Sequence, residues 1–267
     1  MGLYHATSTV LKSCRLSALA LTLFLALGLT STQSHAISSG NAVAPTDSRF
    51  DAVGGFTLRS WAGINNVFGN ATLVAPDRII LPRHLINSSY KNRRSVDGAP
   101  SQYVVRFRRS PDGTIGNINA PTTFYHVGIQ SWILPAGRND ADDVVIGILE
   151  TPIYHIQPMQ LDFRAKISRN QSVTLASWGP EAPPERAVVP KGRLLVGSMR
   201  LSSASKSKLS LSSPSKLFPA RVVKNDSGAP VLLVSGSSVR MIGFATTANS
   251  GIALAQQDGT RLFPRRR

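Results

Sequence analysis

An all-β fold, either barrel or sandwich, is predicted by three features of this 267-residue chain. Its apolar segments are short and rich in Val, Ile and Leu. Gly, Pro, Asn and Ser separate them at turn-like spacing. None keeps up the apolar recurrence of an amphipathic helix for the length a helix needs. Many short strands spaced in this way close into barrels or pack as sandwiches.

The first segment stands outside that fold. Lys12 and Arg15 precede an almost unbroken apolar run, Leu16 to Leu29. Ser34-His35-Ala36 then places small residues where a signal peptidase reads. Residues 1–36 are therefore read as a secretory signal peptide, because the run is short for a membrane span. The remainder, 37–267, is expected to be exported, either secreted or periplasmic.

Within it, Asp51 to Gly69 carries several glycines and few acids, as a first strand and hairpin would. Asn70 to Ala75 and Arg78 to Leu81 read as strands joined by a tight turn at Pro76-Asp77. Tyr103 to Phe107 and Val144 to Leu149 follow as strands. Ser172 to Ala176, Arg193 to Val196, Val231 to Val234 and Met241 to Ala245 repeat the pattern. The chain thus divides into two halves of similar character, with the division near Ile156 to Asn170. Ser202 to Lys216 holds eight serines and three lysines, and is expected to be a mobile surface loop.

Composition narrows the function. The one cysteine, Cys14, lies in the signal segment, so the exported part has no disulfide and no thiolate metal site. No metal-binding constellation and no cofactor motif is found. The formal charge is +16. Such a balance favours polyanions and anionic surfaces in general. No nucleic-acid module accompanies it, so the charge is read as a generic field that adds at most weak attachment. A monomer is expected.

One stretch carries chemistry. Asn225-Asp226-Ser227-Gly228-Ala229-Pro230 sets a serine between an acid and a small-residue turn, ahead of an apolar strand. Such a turn exposes a hydroxyl and gathers backbone N–H groups around one point. A serine hydroxyl is a poor nucleophile until a base takes its proton; imidazole is the natural base, and a carboxylate orients it. After residue 36 the chain holds three histidines. His126 and His155 sit in strand-like or packed surroundings and look structural. His84 lies just past the end of a strand, where it can face a cleft. Among Asp140, Asp142 and Asp143, the last abuts the apolar strand and is taken as the partner.

Taken in order, these segments resemble the chymotrypsin-like, trypsin-type serine proteases, here in a disulfide-free form. Ile37-Ser38-Ser39-Gly40-Asn41 is similar to that family's mature N-terminus, and Gly69 through His84 to its histidine segment. Asp142 to Ile146 resembles its aspartate segment, and Val173 to Gly179 the strand ending in Trp-Gly. Asn225 to Pro230 resembles its serine segment. Ile242 to Thr247 and Ser250 to Ile252 resemble the walls of its specificity pocket.

The resemblance implies two six-stranded antiparallel β-barrels with the active site between them. It implies a catalytic triad of His84, Asp143 and Ser227, and an oxyanion hole from the backbone N–H groups of Asn225 and Ser227. The substrates would be proteins or peptides. Thr246, Thr247, Gly251 and Arg221 would line the specificity pocket. Arg221 is either a basic floor that selects acidic residues or a side chain turned to solvent. Asp226 would pair with the α-amine of Ile37, freed by signal cleavage itself, or else with a nearby arginine. The serine segment departs from the family in starting with Asn225 where glycine is usual, and Arg83 adds a charge beside the base. A protease-fold binding module of reduced turnover is the alternative these departures raise.

Overall fold

The short Val, Ile and Leu segments become strands, and no α-helix occurs among the described residues. A computed structural model describes residues 40–62, 67–87, 98–117, 121–134, 143–178, 193–204, 208–213, 222, 225–247 and 250–253. The signal segment 1–36, Ile37, Arg221, Asp140 and Asp142 lie outside the described residues.

Strand β1 (Asn41–Ala42) opens the described chain. The next six strands are β2 (Val53–Leu58), β3 (Gly69–Ala75), β4 (Arg78–Leu81), β5 (Tyr103–Phe107), β6 (Tyr125–Ile133) and β7 (Val145–Leu149). They form a closed antiparallel barrel in the order β2-β3-β4-β7-β6-β5. Every residue of β7 is buried, which explains its unbroken apolar sequence: a strand covered on both faces need not alternate.

The remaining strands are β8 (Gln160–Leu161), β9 (Ser172–Ser177), β10 (Leu195–Ala204), β11 (Lys208–Ser212), β12 (Pro230–Ser235), β13 (Ser238–Thr247) and β14 (Ser250–Ala253). They form a separate sheet with β1, in the order β1-β10-β11-β14-β13-β12-β9. Strand β9 pairs with β10 as well as β12, and β8 lies parallel to β13.

The serine-rich stretch, expected as a mobile loop, is strand over most of its described residues. Its described residues supply the end of β10 and all of β11. Leu209 and Leu211 are buried while Ser210 and Ser212 face partly outward, which is a period of two. The serine content hid this alternation, because the two leucines alone carry the strand signal.

Two clusters form the core. The smaller belongs to the second sheet and centres on Leu175, Met199, Leu201, Leu209, Val231 and Ile242. The larger fills the barrel and runs on into Ala176, Trp178, Leu194, Leu232, Met241 and Phe244 of the other sheet. Trp178 fastens the two together: its indole N–H donates to the Val53 carbonyl at 2.8 Å, and its ring meets Phe124 edge-on at 5.4 Å. Arg106, fully buried on β5, sets its guanidinium against both of those rings, 4.8 Å from Phe124 and 4.9 Å from Trp178. Burial lowers its guanidinium pKa to about 10, so it stays charged at neutral pH.

That charge has a neighbour across the ladder. Arg106 pairs in register with His126 on β6. Burial first, and the Arg106 charge second, hold the His126 imidazole below its ordinary 6.5. Its Nε2 is buried with no hydrogen-bond partner among the described residues. The unfolded chain therefore takes up a proton that the folded chain resists, so stability is complete above pH ~6.5 and falls as the pH drops below it. His126→Gln is expected to flatten the fall in melting temperature between pH 7.5 and pH 5. Equal slopes for variant and parent would refute this.

Candidate active site

The barrel's own register brings two of the predicted residues together. Strands β4 and β7 are antiparallel with Leu81 opposite Val145. The chain that leaves β4 therefore lies beside the chain that enters β7. Past β4, Pro82 leads into a 3₁₀ turn, Arg83–Ile86, which carries His84. Asp143 stands two residues before β7 and is buried.

The two residues meet at two points. The His84 backbone N–H donates to Asp143 Oδ1 at 2.8 Å, and His84 Nδ1 lies 2.7 Å from Asp143 Oδ2. An ionised carboxylate can only accept, so Nδ1 carries the proton and Nε2 becomes the basic atom of the ring. Each side chain is 12% exposed, which shields the pair from bulk water yet leaves it reachable. The Arg83 backbone N–H adds a long contact, 3.4 Å, to the Asp143 carbonyl.

The serine segment arrives from the other sheet. The N–H of Ala229 donates to the Asp226 carbonyl at 2.8 Å, which closes a four-residue turn over Asp226, Ser227, Gly228 and Ala229. Gly228 has φ +87°, the third-position conformation of a type II turn, where glycine is favoured. Asn225, just before the turn, has φ +75°. For most side chains that region costs roughly 1–2 kcal/mol, and asparagine is among the few residues that visit it readily. Asparagine at residue 225 thus supports a positive-φ backbone.

Strand β13 clamps this turn from one side. Gly228 N–H donates to the Ala245 carbonyl at 2.7 Å, Ala245 N–H to the Ala229 carbonyl at 2.9 Å, and Ser227 Oγ to the Thr246 carbonyl at 3.2 Å. Strand β3 of the barrel holds it from the other: Asn70 N–H donates to the Ser227 carbonyl at 2.7 Å. A Cβ at residue 228 would lie 3.0 Å from Pro82 Cδ, so the turn rests against the residue two positions before His84. The turn that carries Ser227 is thereby packed against the segment leading from β4 to His84.

Asp226 is fully buried, and its Oδ1 accepts from Ser177 Oγ at 2.6 Å. Ile37, its proposed amine partner, lies outside the described residues. Of the proposed pocket, Arg221 likewise lies outside them. Thr246 supplies its carbonyl to Ser227, Thr247 pairs with Ser250, and Gly251 pairs with both Ala245 and Leu209. The other two histidines are packed elsewhere: His126 is on β6, and His155 Nε2 lies 3.1 Å from the Arg109 carbonyl, its ring edge-on to Tyr125. Among the described residues no group of three His, Cys, Asp or Glu side chains converges as a metal site would.

Sequence reasoning passed over two residues, Asn70 and Ser177. Both are fully buried polar side chains among apolar neighbours on strands. Their burial, which obliges each side chain to find a partner, is set by the tertiary structure and leaves no signal in the strand pattern. Comparison with family models and with curated proteins finds no match to this chain.

Proposed function

We propose that this protein is a chymotrypsin-like serine endopeptidase, exported after removal of residues 1–36. The observation that carries the reading is the two-point hold of Asp143 on His84, beside the segment against which the Ser227 turn packs. The second sheet is read as the second barrel. Its pairings β9-β10-β11-β14-β13-β12 return to β9, and they follow the connection order that closes β2 to β7.

In this mechanism the Ser227 hydroxyl turns from the Thr246 carbonyl toward His84 Nε2, Oγ attacks the scissile carbonyl, and the bond from Oγ to carbon forms as its proton passes to Nε2. Asp143, fixed at both the ring and the backbone of His84, stabilises the resulting imidazolium. The backbone N–H groups of Asn225 and Ser227 hold the tetrahedral oxyanion. The imidazolium then gives its proton to the leaving amine as the C–N bond breaks. Water repeats the sequence on the acyl-enzyme. Thr246 and the strands β13 and β14 would line the side-chain pocket. No cofactor is required for any of these steps.

A fluorophosphonate probe tests the reading, because it reacts only with an activated serine. Wild-type protein is expected to label, and Ser227→Ala to lose the label with its melting temperature kept. A folded wild-type protein that takes no label would sink the enzyme and favour the binding-module alternative.

A further inference from the structure

We propose that Asn70 is a positioning residue for the nucleophile turn, holding residues 225 to 227 in their working conformation from the barrel side. The inference rests on the protease reading and deepens it, since that mechanism calls for no side chain on β3.

Asn70 is fully buried, and its carboxamide is used at both ends. Its Oδ1 accepts the Trp178 backbone N–H at 2.8 Å. Its Nδ2 lies 3.1 Å from Ser177 Oγ, 3.1 Å from the Asn225 carbonyl and 3.3 Å from the Ser227 carbonyl. The amide has two hydrogens, so the two shorter contacts take them. Ser227 already receives the Asn70 backbone N–H at 2.7 Å. Ser177 in turn donates its one proton to the Asp226 carboxylate at 2.6 Å.

Asn70 therefore touches Asn225 directly, Asp226 through Ser177, and Ser227 through its own backbone. These are the three consecutive residues whose conformation decides where the nucleophile and the oxyanion donors point. The Trp178 bond fixes which way the amide faces: Oδ1 toward the strand end, Nδ2 toward the turn. A carboxylate could not replace it. With aspartate at residue 70, an oxygen would face the Asn225 and Ser227 carbonyls, and the single Ser177 proton would be contested by two acids. The Asn225 carbonyl would lose its donor, and the peptide it belongs to would have reason to turn.

A misplacement of about 1 Å at a reacting group costs about 100-fold in rate. The test uses the full chain as wild type, Asn70→Asp and Asn70→Ala, with ester turnover and fluorophosphonate labelling both expressed per titratable active site. Asn70→Asp is expected to lower the rate per site about 100-fold, with KM changed by no more than about twofold, as a positioning role requires. Should aspartate prevent folding, Asn70→Ser, smaller and still polar, is measured at low temperature with the same expectation in direction. A lower titratable fraction at an unchanged rate per site would assign Asn70 to stability alone and overturn the inference. A wild type that takes no label would overturn the protease reading itself, which is a different result.

Discussion

Asp143→Asn is expected to lower kcat about 10⁴-fold while the fold and the melting temperature are retained. The reason lies in the two contacts Asp143 makes with His84. An asparagine keeps one acceptor, which still takes the His84 backbone N–H now bound at 2.8 Å. Its other atom becomes an NH₂ group facing Nδ1, where a carboxylate oxygen now sits at 2.7 Å. Two donors cannot face each other, so the ring shifts its proton to Nε2. The atom that should accept the Ser227 proton is then already occupied. Geometry survives and the base does not. Turnover of an activated ester, measured with the far-ultraviolet circular dichroism and melting curve, checks this. A loss smaller than about tenfold would show that His84 does not act through Asp143.

Gly228→Ala is expected to remove activity and to destabilise the protein by about 3 kcal/mol or more, because overpacking and forced positive φ add. A Cβ at residue 228 would lie 1.9 Å from the Asn70 carbonyl oxygen and 2.8 Å from its carbon. Both are backbone atoms of a barrel strand, so neither can swing aside as a flexible side-chain end would. The φ of +87° adds its own cost to any side chain. The turn would have to lift off β3, and with it the Ser227 carbonyl now bonded to Asn70 N–H. Chemical denaturation and probe labelling of the same sample read both effects. A variant as stable as the parent would mean that the turn does not rest on β3 as described.

Much of the fold was legible in the residues. Val144 to Leu149 could hardly be other than a strand, and β7 falls on it. Pro76-Asp77 marked a turn between two apolar runs, and β3 and β4 meet there. The Ser202 to Lys216 stretch misled, because composition drowned a two-residue alternation carried by Leu209 and Leu211. At the candidate site, His84, Asp143 and Ser227 could be picked out from chemistry and from where each sits relative to a strand end. Asn70 could not. It reads as an ordinary polar residue at a strand start, and its partners, Ser177, Trp178 and Asn225, are more than a hundred positions away.

The sequence by itself determined the strand class, the positions of the chemistry-bearing residues, and the need for glycine or asparagine where the backbone turns. These follow from local rules: side-chain periodicity, turn chemistry and the ionisation of single groups. The tertiary structure alone decided that Leu81 faces Val145, so that His84 meets Asp143, and that the Ser227 turn rests on Asn70 and Pro82. Those contacts depend on strand register and on one sheet packing against another. Long-range pairing of that kind is set by the whole core at once, and no single segment of the chain encodes it.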